Sequence, residues 1–244
     1  MKTKLATILA LGLFFGLCTA SSFAGNGHGS RLVTNDQKPR GMSYSQWAAE
    51  WWTWAVTAPE ENHPLINDDQ TGDGNYCEVG QPGYRNVFFL GGTFFGVGPD
   101  PVVRTCKVKT GTALFFPIVN RAYFAFIEDE ETEEEARSYT NCDAEPELFL
   151  QIDDTVVDLS PPELFEESVV FEVVVPEGSP FDVWFGLEGQ VLYPSVDEGH
   201  YVFLRPAWQP GEYTIIFTGD DGCGNTQAVT YNLIVQPGKS RNRD

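Results

Sequence analysis

Residues 229–235 read Val-Thr-Tyr-Asn-Leu-Ile-Val, and this stretch decides the class of fold. Every second residue from Val229 to Val235 is apolar or aromatic, while Thr230 and Asn232 between them are polar. A strand with one buried face has this period of two, because successive side chains point to opposite faces of a sheet. The stretch therefore predicts a half-buried β-strand near the end of the chain.

Much of the remaining chain consists of short apolar runs bounded by Gly and Pro, which also predict strands. The runs are residues 87–90, 102–103 and onward, 113–116, 123–127, 148–152, 155–159, 169–175, 181–187, 201–204 and 213–217. Many short strands with a single N-terminal helix are typical of two packed sheets. We therefore predict a mainly β fold, a disulfide-stabilised β-sandwich of Ig-like or jelly-roll-like type, with one amphipathic Trp-rich helix.

The helix is expected to begin directly after Ser43. Ser43 is a good N-cap and Gln46 lies three residues further on, so the two can form a capping box. Pro59 cannot continue a helix, so the helix is expected to end near Thr57 or Ala58.

The predicted helix carries an aromatic stripe with two alternative uses. Trp47, Trp51 and Trp54 recur at the spacing of one helix face. The stripe either docks the helix onto a sheet or stacks on a sugar or a partner. Trp52 lies off the stripe and is expected to be partly exposed. Together with Tyr44 it forms the candidate ligand-binding pair.

The charge balance of the chain limits its partners. Its 244 residues include 15 Lys and Arg but 35 Asp and Glu, which gives a formal net charge of −20. Nucleic-acid binding requires clustered positive charge, so we expect no nucleic-acid partner. A hydrophobic fraction of 42% is large enough for a real core, so the charge does not predict a disordered chain.

Residues 1–24 have the features of a signal peptide. Lys2 and Lys4 precede an apolar stretch at 5–17, and a small-x-small sequence follows at 22–24. We predict cleavage after residue 24. The mature chain is then secreted, periplasmic or on the cell surface, and it has no predicted membrane span.

The mature chain is interpreted as one folded unit between two short ends. Residues 25–41 predict a flexible leader, and residues 238–244 are assigned to a C-terminal tail. Residues 42–237 are predicted to form a single β-sandwich domain, with two smaller sandwiches as the alternative. Within it, residues 128–137 are dense in acidic side chains that repel one another, which predicts a solvated acidic loop.

Four cysteines remain after cleavage: Cys77, Cys106, Cys142 and Cys223. An even number of cysteines outside the cytoplasm predicts two disulfides, for which three connectivities are open. We favour Cys77–Cys106, because these two residues flank one apolar strand block, together with Cys142–Cys223.

The candidate cation site is the loop that carries Asp68, Asp69, Thr71 and Asp73. Alternating oxygen-bearing side chains followed by Gly resemble the opening half of an EF-hand loop. The twelfth position is Gly80 where an EF-hand has Glu, so the loop is not an EF-hand. It is either an irregular calcium site or an ordinary Asp- and Gly-rich turn, and calcium is the candidate cofactor.

Candidate catalytic groups are few. No Gly-x-Ser-x-Gly motif occurs, and His63 and His200 are each either a general base or a structural histidine. Carboxylate pairs for glycoside hydrolysis are available, but the sequence does not show which two face each other. Two further interpretations are a weaker cation site at 220–221 and a buried ion pair between Glu50 and Arg104.

Several motifs of the mature chain form a recognisable combination. They are Ser45-Gln46-Trp47-Ala48-Ala49-Glu50-Trp51-Trp52-x-Trp54, Cys77 with Gln81, Val87-Phe88-Phe89-Leu90-Gly91-Gly92, Val103-Arg104-Thr105-Cys106, Leu114-Phe115-Phe116-Pro117-Ile118-Val119-Asn120, Pro210-Gly211-Glu212-Tyr213-Thr214-Ile215 and Val229-Thr230-Tyr231. Together they resemble a group of secreted bacterial and archaeal hypothetical proteins. The resemblance implies one domain, supports a Cys77–Cys106 pair and implies no activity. Residues 128–135 and the Cys142 region depart from the pattern. Separately, residues 221–226 resemble the last hairpin of Ig-like extracellular modules.

These observations predict a secreted extracytoplasmic binding protein or a structural protein of the envelope or matrix, with calcium as a stabilising ion. The first alternative is a carbohydrate-binding module or a glycoside hydrolase. The second is a subunit of a surface filament assembled by strand addition. The missing catalytic motifs favour a protein that is not an enzyme, and its candidate partner is a glycan or an envelope component.

If the loop at 68–73 binds calcium, millimolar calcium will raise the thermal midpoint of the oxidised chain relative to EDTA. A ligand present at about 100 times its dissociation constant adds about 2.7 kcal/mol of stability. Replacing Asp69 and Asp73 with Asn should abolish the rise, whereas Asp154→Asn, outside the loop, should preserve it. An equal midpoint with and without calcium would identify the loop as an ordinary turn.

Overall fold

The computed structural model describes residues 31–66, 76–83, 85–94, 101–159 and 164–238. Within these ranges the chain forms two β-sheets and three α-helices, so the predicted mainly β class is confirmed. The helices are α1 (Tyr44–Thr57), α2 (Glu133–Ser138) and α3 (Pro180–Phe185). None of the helices in the described ranges is long and apolar enough to span a membrane.

The strands belong to two sheets of different connectivity. In chain order they are β1 (Leu32–Val33), β2 (Val87–Phe89), β3 (Val102–Lys109), β4 (Ala113–Phe126), β5 (Glu147–Ile152), β6 (Thr155–Val156), β7 (Phe165–Glu167), β8 (Phe171–Val174), β9 (Val191–Leu204), β10 (Gly211–Asp220) and β11 (Thr226–Gln236). Sheet A has the order β1-β9-β4-β2, and β7 and β8 also pair with β9. Sheet B has the order β3-β11-β10-β5-β6. Most pairs are antiparallel, but β2–β4 and β3–β11 are parallel.

Sheet A is buried on both faces, which explains the unbroken apolar run at the start of β4. Residues 113–119 are all buried, as expected for a strand covered on two sides. Phe116 faces sheet B and stacks on Phe217, with ring centroids 5.0 Å apart. Phe115 faces α1, where its ring centroid lies 6.1 Å from that of Trp47. Two hydrophobic cores therefore lie on either side of one sheet.

The predicted boundaries of α1 are confirmed. The side chain of Ser43 accepts a hydrogen bond from the Gln46 backbone N–H, and the Gln46 side chain accepts one from the Ser43 N–H. The last helical residue is Thr57, and Ala58 is the C-cap. Both ends are therefore set by local capping chemistry.

The aromatic stripe of α1 docks the helix onto sheet A. Trp47, Trp51 and Trp54 are all buried, so the alternative of an exposed aromatic platform on this stripe is wrong. Each indole N–H donates to a backbone carbonyl: Trp47 to Pro39 at 3.0 Å, Trp51 to Leu90 at 2.7 Å and Trp54 to Val79 at 3.2 Å. Buried indoles need such acceptors, because an unpaired N–H in a core is costly.

The predicted strand at residues 181–187 is wrong, because most of this run forms α3. Ser179 is the N-cap and accepts from the Asp182 N–H, Pro180 occupies the first turn, and Gly186 ends the helix with φ 71°. A Pro inside the start and a Gly after the end are helix signals that outweigh the apolar strand-like composition between them.

Part of the predicted flexible leader is ordered. Leu32 and Val33 form β1 and pair with Leu204 and Phe203 of β9, and Val33 is buried. A strand partner and a buried apolar side chain hold this segment on sheet A. Residues 25–30 of the predicted leader lie outside the described residues.

The acidic segment at 128–137 is only partly a loop, because α2 begins within it. Thr132 caps the helix and Glu135 completes a second capping box. Carboxylates in the first turn lie near the positive end of the helix dipole, which offsets their mutual repulsion. Ala136 is buried and Arg137 contacts Glu133 at 2.8 Å, so the helix has an anchored face.

Both favoured disulfides are present. Cys77–Cys106, with Cα atoms 5.4 Å apart, ties the 3-10 turn Tyr76–Glu78 to β3. Cys142–Cys223, with Cα atoms 6.1 Å apart, ties the segment after α2 to the turn between β10 and β11. The second bond therefore fastens an extension of sheet A to sheet B.

Replacing Trp47 with Ala should lower the free energy of unfolding by about 3–5 kcal/mol, because it removes a fully buried ring between α1 and sheet A. Trp47→Phe should cost less, since part of the ring volume is kept. Urea unfolding of the oxidised chain measures both changes. Val103→Ala, at a side chain 54% exposed, is the control and should change little. A Trp47→Ala variant as stable as this control would contradict the docking role.

Candidate functional site

One end of sheet A carries an open apolar pocket, which we call the α3 pocket. Its volume is about 400 Å³. The residues that line it come from β4, α3, β9 and the loop between the last two, and they are Ala122, Tyr123, Phe124, Phe126, Phe181, Phe185, Leu187 and Leu192.

The pocket lies where the helical cover of sheet A ends. A helix of 14 residues, such as α1, is about 21 Å long. A strand of 14 residues, such as β4 or β9, is about 46 Å long. α1 alone therefore cannot cover the full length of the sheet. The short helix α3 covers part of the remainder, and the gap beside it is the pocket.

The inner wall of the α3 pocket is continuous with the hydrophobic core. The ring of Phe124 lies 5.2 Å from that of Phe181 and 5.5 Å from that of Trp52, both edge to face. The outer wall is open to solvent, because Phe126 is 37% exposed and Phe185 is 58% exposed. A rigid floor with exposed aromatic rims is therefore available to a ligand without rearrangement of the core.

Two further apolar side chains are exposed on the segments that form the pocket. Ile127 follows Phe126 in the chain and is 44% exposed, and Val183 on α3 is 55% exposed. Contiguous exposed apolar surface on a folded protein commonly marks a binding site. The pocket is not among the sites predicted from the sequence, because residues 181–187 resemble a strand in composition. The capping residues of α3 are the signal that could have identified the helix beside the pocket.

A second feature is a pair of carboxylates between the edge of sheet A and the Cys142–Cys223 bond. Glu198 on β9 lies directly opposite Glu167 on β7 in the antiparallel register. Burial, together with the charge of the neighbouring Glu167, raises the pKa of Glu198 to about 7. The positive charge of Arg121 and a hydrogen bond from the backbone N–H of Cys142 lower this pKa and partly offset the rise. Register across strands that are distant in sequence brings this pair together, so the sequence alone could not have identified it.

Arg121 and Asp221 close the cavity beside Glu198. Arg121 Nη2 lies 2.9 Å from Asp221 Oδ2. Burial alone would raise the pKa of Asp221, but hydrogen bonds from the backbone N–H groups of Asn225 and Cys223 hold it below its usual value. The carboxylate oxygens of Asp221 are thus already used, so the weaker predicted cation site at 220–221 has no free Asp221 oxygen to offer.

Asp197, the neighbour of Glu198, points to the other face of sheet A. Its carboxylate accepts hydrogen bonds from Trp52 Nε1 and from the Tyr201 hydroxyl, both at 2.6 Å. Asn120 Nδ2 in turn donates to the Tyr201 oxygen at 3.0 Å. Complete burial raises the pKa of Asp197 to about 7, although these donors favour the ionised form. The network fixes α1 on sheet A.

The predicted ligand-binding pair, Tyr44 and Trp52, does not lie on the surface. Trp52 is only 8% exposed, so the expectation that it is partly exposed is wrong; its N–H is drawn inward by Asp197. Tyr44 is fully buried, and its hydroxyl donates to Val33 O and accepts from the Phe203 N–H. Neither ring has a face free to stack on a sugar.

The two histidines have different environments. His63 is fully buried, its Nε2 donates to Ala55 O at 2.8 Å, and its Nδ1 accepts from the Leu65 N–H at 3.0 Å. Burial lowers the pKa of His63 to about 4, so it is a neutral structural residue with both ring nitrogens engaged. His200 lies at the edge of the Glu198 cavity against Phe165, with ring centroids 5.4 Å apart, and burial lowers its pKa.

The predicted ion pair of Glu50 and Arg104 is not among the ion pairs of the described residues. Arg104 Nη1 instead donates to the carbonyls of Gly91 and Gly92, at 2.9 and 2.8 Å. It also donates to the hydroxyl of Tyr231 at 3.3 Å. Arg104 therefore supports the turn after β2 rather than pairing with α1.

The proposed calcium ligands Asp68, Asp69, Thr71 and Asp73 lie outside the described residues. In the parts of the chain that the structure does describe, no group of three or more His, Cys, Asp or Glu residues could hold a metal ion. A larger open groove of about 630 Å³ lies between β5, β6 and β7. Residues 160–163, which connect Leu159 to the Phe165 wall of that groove, also lie outside the description. We therefore assign no role to it.

No known protein family and no curated protein matches the chain. Among solved structures, one described as PbICP-C in complex with falcipain-2 is similar at 12% identity. The alignment covers 62% of this chain and 98% of the other, with a TM-score of 0.23. At that TM-score the likeness carries no argument about fold or function.

Glu198→Gln should reduce the pH dependence of stability. A carboxyl whose pKa is raised by folding holds its proton more tightly in the folded state, so stability is highest below about pH 4.5 and falls as the pH rises through 7. At pH 8 the Gln variant should be more stable than the parent by about 1–3 kcal/mol, since one pKa unit corresponds to about 1.4 kcal/mol. Urea unfolding at pH 5 and pH 8 measures the difference.

Glu188→Gln is the matched control for this measurement, because the substitution removes the same charge from an exposed position. It should leave the pH dependence of unfolding close to that of the parent chain. A Glu198→Gln variant with the same pH dependence as this control would show that Glu198 is not desolvated in the folded state.

Proposed function

We propose that this protein is a secreted extracytoplasmic binding protein that acts through the α3 pocket. The observation that carries the proposal is the open pocket of about 400 Å³ with Phe126 and Phe185 on its rim. The signal-peptide features of residues 1–24 support the location. The two disulfides also support it, because such bonds persist mainly in oxidising compartments.

The exposure of Phe185 supports binding rather than a structural role. A Phe ring that is mostly exposed adds little to folding, whereas covering it is worth about 1.5–3 kcal/mol. The pocket volume falls within the range of about 300–1,000 Å³ that is usual for ligand sites. Of the residues that line it only Tyr123 is titratable, which favours recognition over chemistry.

A hydrolase acting through Glu198 is the second candidate. A carboxyl with a pKa of about 7 opposite another carboxylate can act as a general acid. On one side of Glu198 the cavity measures only about 30 Å³, which is room for about one water molecule. On the other side, Glu198 and Glu167 share an open pocket of about 270 Å³ with Arg137, Ser138 and Asn141. None of the residues that line this pocket is aromatic, so no ring is available to stack on a sugar, and the geometry supports the binding function better.

Calcium stabilisation through Asp69 and Asp73 remains part of the proposal, to be tested by the calcium titration described above. Filament assembly by strand addition would need an accessible sheet edge. The longest edge strand of sheet B, β3, is bonded at Cys106 to Cys77, and the turn Tyr76–Glu78 packs beside it. This arrangement disfavours strand addition at that edge.

Phe185→Ser should weaken binding of Nile red, a neutral dye that fluoresces in apolar surroundings, by about tenfold or more, because it removes the exposed aromatic wall. Fluorescence titration of the purified, oxidised chain measures the affinity. Val103→Ser is the control, because it removes an equally exposed apolar side chain from β3. Absence of saturable binding to the parent chain, or equal binding by both variants, would overturn the proposed function.

A further inference from the structure

We propose that the natural partner of the α3 pocket is a basic polypeptide segment that places an apolar side chain in the pocket and pairs its Lys or Arg residues with the surrounding carboxylates. This inference rests on the proposed function and names the partner class of the same site.

The charge of the chain is concentrated in the part that builds the pocket. Residues 122–204 contain 22 of the 35 acidic residues and only one of the 15 basic residues, which gives this segment a formal charge of −21. The rest of the chain therefore has a formal charge of +1. All residues that line the α3 pocket belong to the acidic segment. A cationic partner is attracted to this part of the molecule in particular.

Carboxylates directly follow residues of the pocket wall and rim in the chain. Glu128 and Asp129 follow the rim residues 126–127 in the chain, and Glu188 follows Leu187; all three carboxylates are exposed. The single basic residue of the acidic segment, Arg137, is paired with other acids, Glu133 at 2.8 Å and Glu167 at 3.7 Å. The carboxylates beside the pocket thus have no neutralising base from their own segment.

Glu131 provides a partly satisfied acceptor at the same place. The hydroxyl of Tyr123, which lines the pocket, donates to Glu131 Oε1 at 2.9 Å. The second carboxylate oxygen, Oε2, is buried and has no hydrogen-bond partner among the residues that the structure describes. An ionised carboxylate accepts several hydrogen bonds, and a Lys or Arg donor supplies the strongest of them. Tyr123 therefore connects the apolar pocket to a carboxylate that is only partly satisfied within the described part of the chain.

The same charges disfavour other classes of partner. Nucleic acids and anionic lipid surfaces are repelled by a segment of charge −21. A second copy of the chain would meet an equally acidic face if the two pockets faced each other, so like charges oppose that contact. Among these classes of partner, a polypeptide is favoured, because it can combine positive charge with apolar side chains.

The extent of the exposed apolar surface favours a chain over a small cation. Ile127, which directly follows the rim residue Phe126 in the chain, is exposed and lies outside the pocket lining. A ligand confined to the pocket would leave this side chain in water. An extended segment can cover it as well, while the charges of that segment accelerate association and its apolar side chain slows dissociation.

Calorimetric titration of the full, oxidised chain with three synthetic peptides tests the proposal. The probe is a peptide of alternating Lys and Leu; a Lys and Ser peptide keeps the charge, and a Glu and Leu peptide keeps the apolar groups. We expect the Lys–Leu peptide to bind at least about tenfold more tightly than the Lys–Ser peptide, and the Glu–Leu peptide not to bind. Binding should weaken from about 0.01 M to about 1 M salt, which shortens the Debye length from about 30 to about 3 Å.

Variants locate the binding. Phe185→Ser should weaken only the Lys–Leu peptide, whereas the double variant Glu128→Lys, Glu188→Lys should weaken both Lys peptides. Glu78→Lys, an exposed charge reversal outside the acidic segment, is the control and should have less effect than a reversal beside the pocket. Circular dichroism confirms that each variant is folded.

Two outcomes would overturn the inference. If all three peptides bind equally or not at all while Nile red still binds, the pocket takes an apolar group but not a basic polypeptide. If light scattering shows salt-sensitive self-association that Phe185→Ser abolishes, the occupant is a second copy of the chain. Failure of Nile red binding would instead contradict the proposed function itself.

Discussion

The burial of sheet A on both faces is the constraint on which the rest of the structure depends. Along β4, Phe115 packs against α1 and Phe116 packs against sheet B, so each cover protects one face of the same strand. Separate interactions hold α1 and sheet B in place. α1 is held by the indole hydrogen bonds, including the one from Trp52 to Asp197, and sheet B is held by the Cys142–Cys223 bond.

The parts of the fold that depend on local chemistry were predictable from the sequence. Ser43 and Gln46 identify the start of α1 because a capping box involves only four consecutive residues. The strands were predictable because alternation and Gly or Pro boundaries are local as well. The strand prediction at 181–187 is wrong because an apolar run fits either element, and the caps at Ser179 and Gly186 decide in favour of a helix.

The candidate site could not be predicted in the same way, because it depends on contacts between distant residues. Trp52 is buried through Asp197, 145 positions away, and nothing near Trp52 in the sequence indicates that acceptor. Glu198 meets Glu167 only through the pairing of β7 with β9. The α3 pocket exists because a helix rises less per residue than a strand, so equal numbers of residues cover unequal lengths.

Asp197 and Glu198 are consecutive residues of β9 whose carboxyl groups lie in different environments on either side of sheet A. Burial raises both pKa values to about 7, so the two groups take up protons over the same pH interval. A fall in pH through this interval therefore protonates one carboxyl at the contact between α1 and sheet A and another beside the Cys142–Cys223 bond. The two sites are linked through one backbone segment, because the charge of Glu198 on one side of the sheet also raises the pKa of Asp197 on the other.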